Sequence, residues 1–575
     1  MLRRIPYLFL FILFFSASLA LAQDGRTEQQ SLLPEIDPQD IEIRSQFRAR
    51  FPGLSRQPIL GFNPRPRVFQ VDPNRMPFIE DEEAVIASLP IGELDRPEAP
   101  DYEPLGYATP NNGFLRTGFG SYITPEADFF GVAKLSDKNW LSTDLRFQSS
   151  DGHEERVPTS FRQLDGSIRS FNRLSERTLL TLAAGGRSDF NHQLSVVSSP
   201  TANLSVLPQT KVNADGFHAS ATFERKRTSL SGFQLQLAGY SDSYSIESNL
   251  DPLSGSPSEW GFHLRGKASR LGNHIYEIHS IEFESESGQT NPIRNESYSW
   301  SNNRIALRFE RLFNYNTDVN IALGGSGVTD ATGDWSIYPY GNAVIEQNLF
   351  RGLNLRAEVS AEPVMRNYSE IRNLNRFFNL DAPVRHQYEI KALAEVLAEP
   401  LEGTNLYGGV TFQDVKKYLY YTREQSPAEI ESIEAGYYTA RFQNATILRV
   451  YGGFSQDLKP EVIWVSANAH WQIPDLASGE RIPFTETLFL DGSLHFRPAK
   501  SILIEGWAEF FGGREGATGE NLDSFLLLGG GFEVSLTEHV GIYGKLNNLL
   551  DEQYELWDGF RERGFQGFVG VTLLF

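Results

Sequence analysis

From Gly113 to Phe575 the chain keeps a period of two. Phe217, Ala219, Ala221 and Phe223 alternate with His218, Ser220, Thr222 and Glu224, and Phe233, Leu235, Leu237 and Gly239 follow in the same phase. The pattern recurs at Leu406/Gly408/Val410/Phe412, at Leu488/Leu490/Gly492/Leu494/Phe496 against Asp491, Ser493 and His495, and at Ile502/Ile504/Gly506/Ala508/Phe510. A strand of this kind has one apolar and one polar face. Each segment runs about 9–14 residues, enough to cross a bilayer at a tilt. The final strand carries Val569, Val571 and Leu573 on one face and Gly570 and Thr572 on the other, and the chain stops on Phe575. Lipid on one side and a lumen on the other satisfy both faces. The predicted fold class is all-β, a transmembrane antiparallel β-barrel of about 22 strands.

Connection lengths test that expectation independently. Counting back from the C-terminus, short turns fall at every second connection: Thr537-Glu538, Arg497–Lys500, Asp457–Pro460, Pro400–Gly403, Phe350–Gly352, Phe313–Tyr315, Arg270–Gly272, Arg227–Thr228, Asn172–Glu176 and Ser136–Lys138. The others are longer and polar, including 191–213, 246–257, 364–385, 414–436, 473–486, 512–522 and 551–564. Short inner turns alternating with long outer loops mark an outer-membrane barrel. A secreted β-sandwich has no reason to keep that order.

The N-terminal part differs. Arg3 and Arg4, an apolar run and Ala20-Leu21-Ala22 form a secretory signal peptide over residues 1–22. Residues 23–112 hold 13 of the 30 prolines and show no sustained periodicity, so they form a Pro-rich, largely irregular extension. The barrel is assigned to 113–575. Between Ile43 and Val71 the extension carries Arg44, Arg48, Arg50, Arg56, Arg65 and Arg67 with no acid, and an acidic run from Glu80 to Glu83 follows. Arginine forks pair carboxylates on two prongs. The barrel's inferred lumen faces supply carboxylates at Glu224, Glu389, Glu395, Glu505, Glu509 and Glu533. Three readings of the arginines stay open: a lumen plug, a disordered periplasmic tail whose charges are merely solvated, or a surface that docks a periplasmic partner.

Composition excludes several classes. The formal net charge of −21 argues against nucleic acid, which needs a basic footprint. No cysteine is present, so disulfides and thiolate metal sites are excluded. No metal-ligand spacing occurs among the ten histidines, and His153 beside Glu154-Glu155 reads as a loop feature. Gly324-Gly325-Ser326-Gly327 and Gly512–Gly519 are placed at strand ends and loops, with no helix signal behind them that would make a phosphate cradle. Glu505 and Glu509 share a strand face, yet lumen carboxylates ordinarily set ion selectivity. No catalytic, cofactor-binding or metal residues are assigned. Tyr418, Tyr420, Tyr421 and Trp557 lie near outer loops and suit either a ligand surface or the aromatic girdle of a membrane barrel.

The closing hairpin resembles a known family. Asn547-Asn548-Leu549-Leu550-Asp551-Glu552, then Tyr554, a loop with Arg563-Gly564-Phe565, and a Gly-rich strand ending on Phe575 resemble the end of TonB-dependent receptors. The resemblance implies an outer-membrane location in a Gram-negative cell, outer-membrane lipid as solvent, a periplasmic N-terminus and solute uptake. Those receptors carry an N-terminal plug of well over a hundred residues. Here the segment before the barrel is shorter and unpatterned, so the chain resembles a plugless relative of those receptors. Asp40-Ile41-Glu42-Ile43 is a poor energy-coupling box, and TonB-type coupling is left open. The competing expectation is a structural or assembly protein whose N-terminal arm recruits periplasmic partners.

Overall fold

The computed structural model describes residues 112–153, 159–193, 210–225, 231–248, 254–274, 276–293, 295–314, 316–380, 383–423, 438–558 and 560–575. The signal peptide, the six arginines from Arg44 to Arg67, the acidic run and the 40–43 stretch lie outside these residues.

Among the described residues, twenty-two strands form one antiparallel sheet in which neighbours in the chain are neighbours in space. The first, Gly113–Gly120, pairs both with Thr124–Ser136 and with the last, Gln566–Leu574, so the sheet closes and leaves no edge. Register explains how the ends find each other. Leu115, Thr117 and Phe119 stand opposite Leu573, Val571 and Val569, which puts one apolar row toward lipid. Arg116 and Gly118 stand opposite Thr572 and Gly570 on the lumen side. A slip by one residue would reverse both faces.

Among the twenty-two strands of the ring, lengths range from 8 residues at Gly113–Gly120 to 22 at Tyr438–Lys459. Nine of the ten short turns fall at the connections expected from sequence, with ends displaced by up to about four residues, and Arg227–Thr228 lies outside the described residues. Two of them need glycine: Gly352 (φ 83°) and Gly403 (φ 78°) adopt the left-handed backbone that closes Phe350 to Leu353 and Leu401 to Thr404. The closing motif also has a local cause. Asn548 sits at φ 50° and bridges its loop, donating to the carbonyls of Glu552 (2.8 Å) and Arg563 (3.2 Å) and accepting from the Glu552 amide (2.9 Å). Asp551 accepts from the Phe565 amide at 2.7 Å. These two side chains hold the ends of the last hairpin together.

Three sequence expectations are corrected. The Gly324–Gly327 run lies inside the strand Thr317–Thr329, because a Cβ on Gly324 would stand 1.9 Å from the Ile305 carbonyl oxygen of the adjoining strand. The connection placed at 414–436 starts later, since the strand Thr404–Arg423 continues beyond a bulge between Val415 and Tyr418. The connection after Val364 is not a polar outer loop: it is folded inward and largely buried.

Candidate functional site

Antiparallel partners share a face, so the register identifies the lumen wall. On one side the wall carries an alternating ribbon of charge. Lys267 Nζ reaches Glu282 (3.0 Å) and Glu310 (3.2 Å), and Arg308 Nε reaches Glu282 at 2.9 Å. Arg304 joins Glu284 to Glu362, the latter at 3.1 Å, and His263 Nε2 lies 2.8 Å from Glu284. These residues come from the strands Ser258–Leu271, Glu277–Asn291, Tyr298–Phe313 and Leu353–Val364.

The six carboxylates singled out from sequence are spread around this wall. Glu224 stands opposite Leu179 and Gln234. Glu389 faces Glu362 and Val415 and accepts from Gln413 at 3.0 Å. Glu395 accepts from the Tyr451 hydroxyl at 2.6 Å. The other three are neighbours: Glu505 and Glu509 on Ile502–Gly512, and Glu533 on Phe525–Ser535 opposite Leu503. Asp491 stands across from Glu509, and His495 Nδ1 lies 3.8 Å from Glu505. Among the described residues, Glu509 and Glu533 make no hydrogen bond or ion pair, with Lys545 and Arg116 as their more distant positive neighbours, so this sector is a band of acids without close partners.

Among the described residues, one group brings metal-type donors within 4.8 Å of each other: His263, Glu284 and Glu286. Arg304 already holds Glu284, and His263 bonds the same carboxylate. The cluster is therefore a charge-matched network, and it is not assigned to a metal.

The outer mouth is roofed by the chain itself. After Val364 the backbone turns inward, and Asn367 caps the short helix Tyr368–Leu374 in a reciprocal pair with Glu370. Tyr368, Ile371, Phe377, Phe378, Leu380 and Val384 are buried here against Val212, Ala214, Tyr244, Trp300, Leu419, Tyr421, Tyr438 and Ala440 from strands around the ring. Arg372 donates to both oxygens of Asp189 (3.1 and 2.6 Å) and to Asn191 Oδ1. The Tyr368 amide donates to Glu259 (2.8 Å), whose other oxygen takes the Thr290 hydroxyl (2.7 Å). His386 Nδ1 lies 2.6 Å from Asp330, and its Nε2 lies 2.7 Å from the Tyr338 hydroxyl.

A second outer loop completes the roof. Phe377 stacks on Phe560 with centroids 3.6 Å apart, and Arg376 reaches Glu562 at 3.1 Å. Tyr438 is the hub: its amide donates to the Phe377 carbonyl (3.1 Å), its carbonyl accepts from Asn379 (2.7 Å), and its hydroxyl donates to Asp558 (2.6 Å). Phe484, Trp557 and Phe560 surround its ring. Tyr421 and Trp557 thus pack into the roof, and Tyr418 and Tyr420 pack beside Ala445, Ile447, Leu476 and Ile482.

Just beyond its strand, Asp330 is only 1% exposed. Burial works to raise its carboxyl, but hydrogen bonds from His386 and Thr332 and the charge of Lys417 outweigh it. The group is held well below the ordinary carboxylate range.

Sequence reading missed the roof. Its available signal was the apolar content of 365–384 together with the Asn367–Glu370 cap, both unusual in a solvated loop.

No protein-family model matches this chain, and no curated protein matches its sequence. Its fold does match solved structures. The ferric-catecholate import receptor Fiu of E. coli K12 aligns with a TM-score of 0.58 and 10% identity over 81% of this chain and 82% of that one. The siderophore receptor PirA of Pseudomonas aeruginosa gives 0.58 and 11% over 80% of each, and the copper transporter OprC gives 0.62 and 11% over 80% of each. In fold this chain is a TonB-dependent receptor-like barrel.

Proposed function

We propose that this protein is an outer-membrane uptake barrel that passes a solute to the periplasm through its lumen, with the outer roof controlling entry. The observation that carries the reading is a charged lumen wall lying under a roof built from the chain's own outer connections. A barrel serving only as an anchor needs neither a polar, charged wall nor a dismantlable closure. The neighbours in fold are described as an import receptor, a siderophore receptor and a copper transporter, which supports transport as the class of activity.

The acidic band of Glu505, Glu509 and Glu533 gives the path a preference for cations or cationic groups, as carboxylate rings do in pores. Single-channel recording in a planar bilayer tests the reading. The full-length protein is expected to be closed, and deletion of 368–379 to open it. A deletion variant that folds but stays closed would overturn passage through the lumen and favour the assembly role. Removing residues 23–112 in the same assay measures what that extension adds. In the opened barrel, Glu505→Gln with Glu509→Gln is expected to lower cation selectivity, read as a shift in reversal potential.

A further inference from the structure

The roof is fastened unequally at its two sides. Its base is fixed to its own wall: Val364 pairs with Gln387 at the strand ends, and Asp330 grips both the ring and the backbone amide of His386. Phe377 to Asn379 are tied by backbone hydrogen bonds to Tyr438 and lie among aromatic rings. The helix end reaches the opposite way. The roof springs from the thirteenth strand, Leu353–Val364, whereas Asp189 and Asn191 stand on the fifth, Thr178–Gln193. Across that span, among the described residues, the fork of Arg372, itself 6% exposed, reaches the fifth strand, and the Tyr368 amide donates to Glu259 on the eighth, Ser258–Leu271 (2.8 Å).

We propose that Arg372 is the latch of the roof, and that the mouth opens as a flap on the side of Asp189 while the base at His386 and the hub at Tyr438 stay closed. The physical ground is the asymmetry of what must break. At the hub, opening would expose a large apolar cluster and several backbone groups. At the latch it would separate one ion pair with its side-chain amide partner, the bond from the Tyr368 amide to Glu259, and the packing of Tyr368 and Ile371 with Val212, Ala214 and Tyr244, and water entering from outside can solvate the polar parts. Arg187 sits beside Asp242 on the same wall, at 2.9 Å, so the freed Asp189 opens into a polar surface already able to hold water. The inference rests on the proposal that the roof controls entry, but it is tested separately.

The chain has no native cysteine, so a single engineered one reports locally. Ala214 lies buried under the latch side and Ala440 under the hub side. In otherwise unaltered full-length protein in vesicles, Ala214→Cys and Ala440→Cys are both expected to resist a membrane-impermeant maleimide. Adding Arg372→Ala is expected to speed labelling at position 214 by roughly a hundredfold, the size expected from breaking a buried ion pair, and to leave position 440 unchanged. Arg372→Lys, which keeps the charge but loses the fork, is expected to fall between.

Protection at 214 in the Arg372→Ala background would overturn the latch. Equal exposure at both positions would also overturn it, because Arg372 would then support the roof as a whole. The heat-dependent gel shift of a folded barrel excludes misfolding as the cause. If the 368–379 deletion fails to conduct while the labelling pattern holds, the transport reading falls and the latch stands.

Discussion

The wall and the roof are made from the same chain under opposite rules. Each wall strand is held by hydrogen bonds to its two neighbours in the ring, and its side chains repeat a two-residue pattern. The roof makes few such repeats. Its fastenings join residues far apart in sequence: Arg372 to Asp189, Tyr368 to Glu259, and Phe377 to Phe560. Damage to the wall should therefore be global, and damage to the roof local.

The largest effect is expected from Gly324→Val. The new Cβ would press on the backbone of Ile305 and Ala306, which cannot withdraw without breaking the ladder. No folded barrel should be recovered, judged by the heat-dependent gel shift. A folded, wild-type-like G324V would undo the distinction between a rigid wall and an adaptable roof.

Tyr438→Ala comes next. Removing a fully buried aromatic at a junction of loops is expected to cost about 3–5 kcal/mol locally. The barrel should still fold, while the outer connections become protease-sensitive and conductance appears. Tyr438→Phe, which loses the hydroxyl and its bond to Asp558, should cost about 1 kcal/mol. If Tyr438→Ala abolished the barrel itself, roof and wall would be one cooperative unit.

A smaller effect concerns acid. The folded Asp330 carboxyl titrates below its unfolded value, so its contribution is fully present above about pH 4 and is lost as pH falls through the lower, folded value. In the Ala440→Cys variant, protection from the maleimide should thus be the same at about pH 7 and about pH 5, since both lie above that window. Asp330→Asn should weaken the base by about 1.5–3 kcal/mol at neutral pH, seen as faster labelling at the same position. Loss of protection on mild acidification would show that another group governs the base.

The smallest effect is expected at Arg376→Ala. Its pair with Glu562 is half-exposed, and such pairs contribute about 0–1 kcal/mol. Conductance and labelling at position 214 should match the parent. If it opened the mouth as fully as Arg372→Ala, burial would not be what separates a latch from a surface contact.

Legibility in the sequence follows the same division. The strand alternation and nine of the ten short turns were readable, because each depends on residues close in the chain, and the closing hairpin was recognised by its resemblance. The Gly324–Gly327 run misled, since its glycines answer to the neighbouring strand. The bulge at Val415/Tyr418 concealed the hub. Extending the lumen face outward from Ile447 and Ala445 by twos leads to Gln443 and Arg441, whereas the buried residues above the bulge are Ala440 and Tyr438. One extra residue opposite Asn444 exchanges the faces. The six carboxylates were chosen by alternation alone, and nothing in that alternation distinguishes Glu395, bonded to Tyr451, from Glu509, which has no such partner among the described residues.

What the amino-acid order settled is the part of the molecule governed by short-range repetition. It specified a sheet with one face for lipid, its turns, and the hairpin that closes the ring. Tertiary structure decided whether the mouth stands open or covered, and which acids lie without close partners. Those outcomes depend on contacts such as Arg372 with Asp189, made only after the ring has closed and brought opposite walls within a side chain's reach. No local pattern encodes them, because the distance they span exists only in the folded barrel.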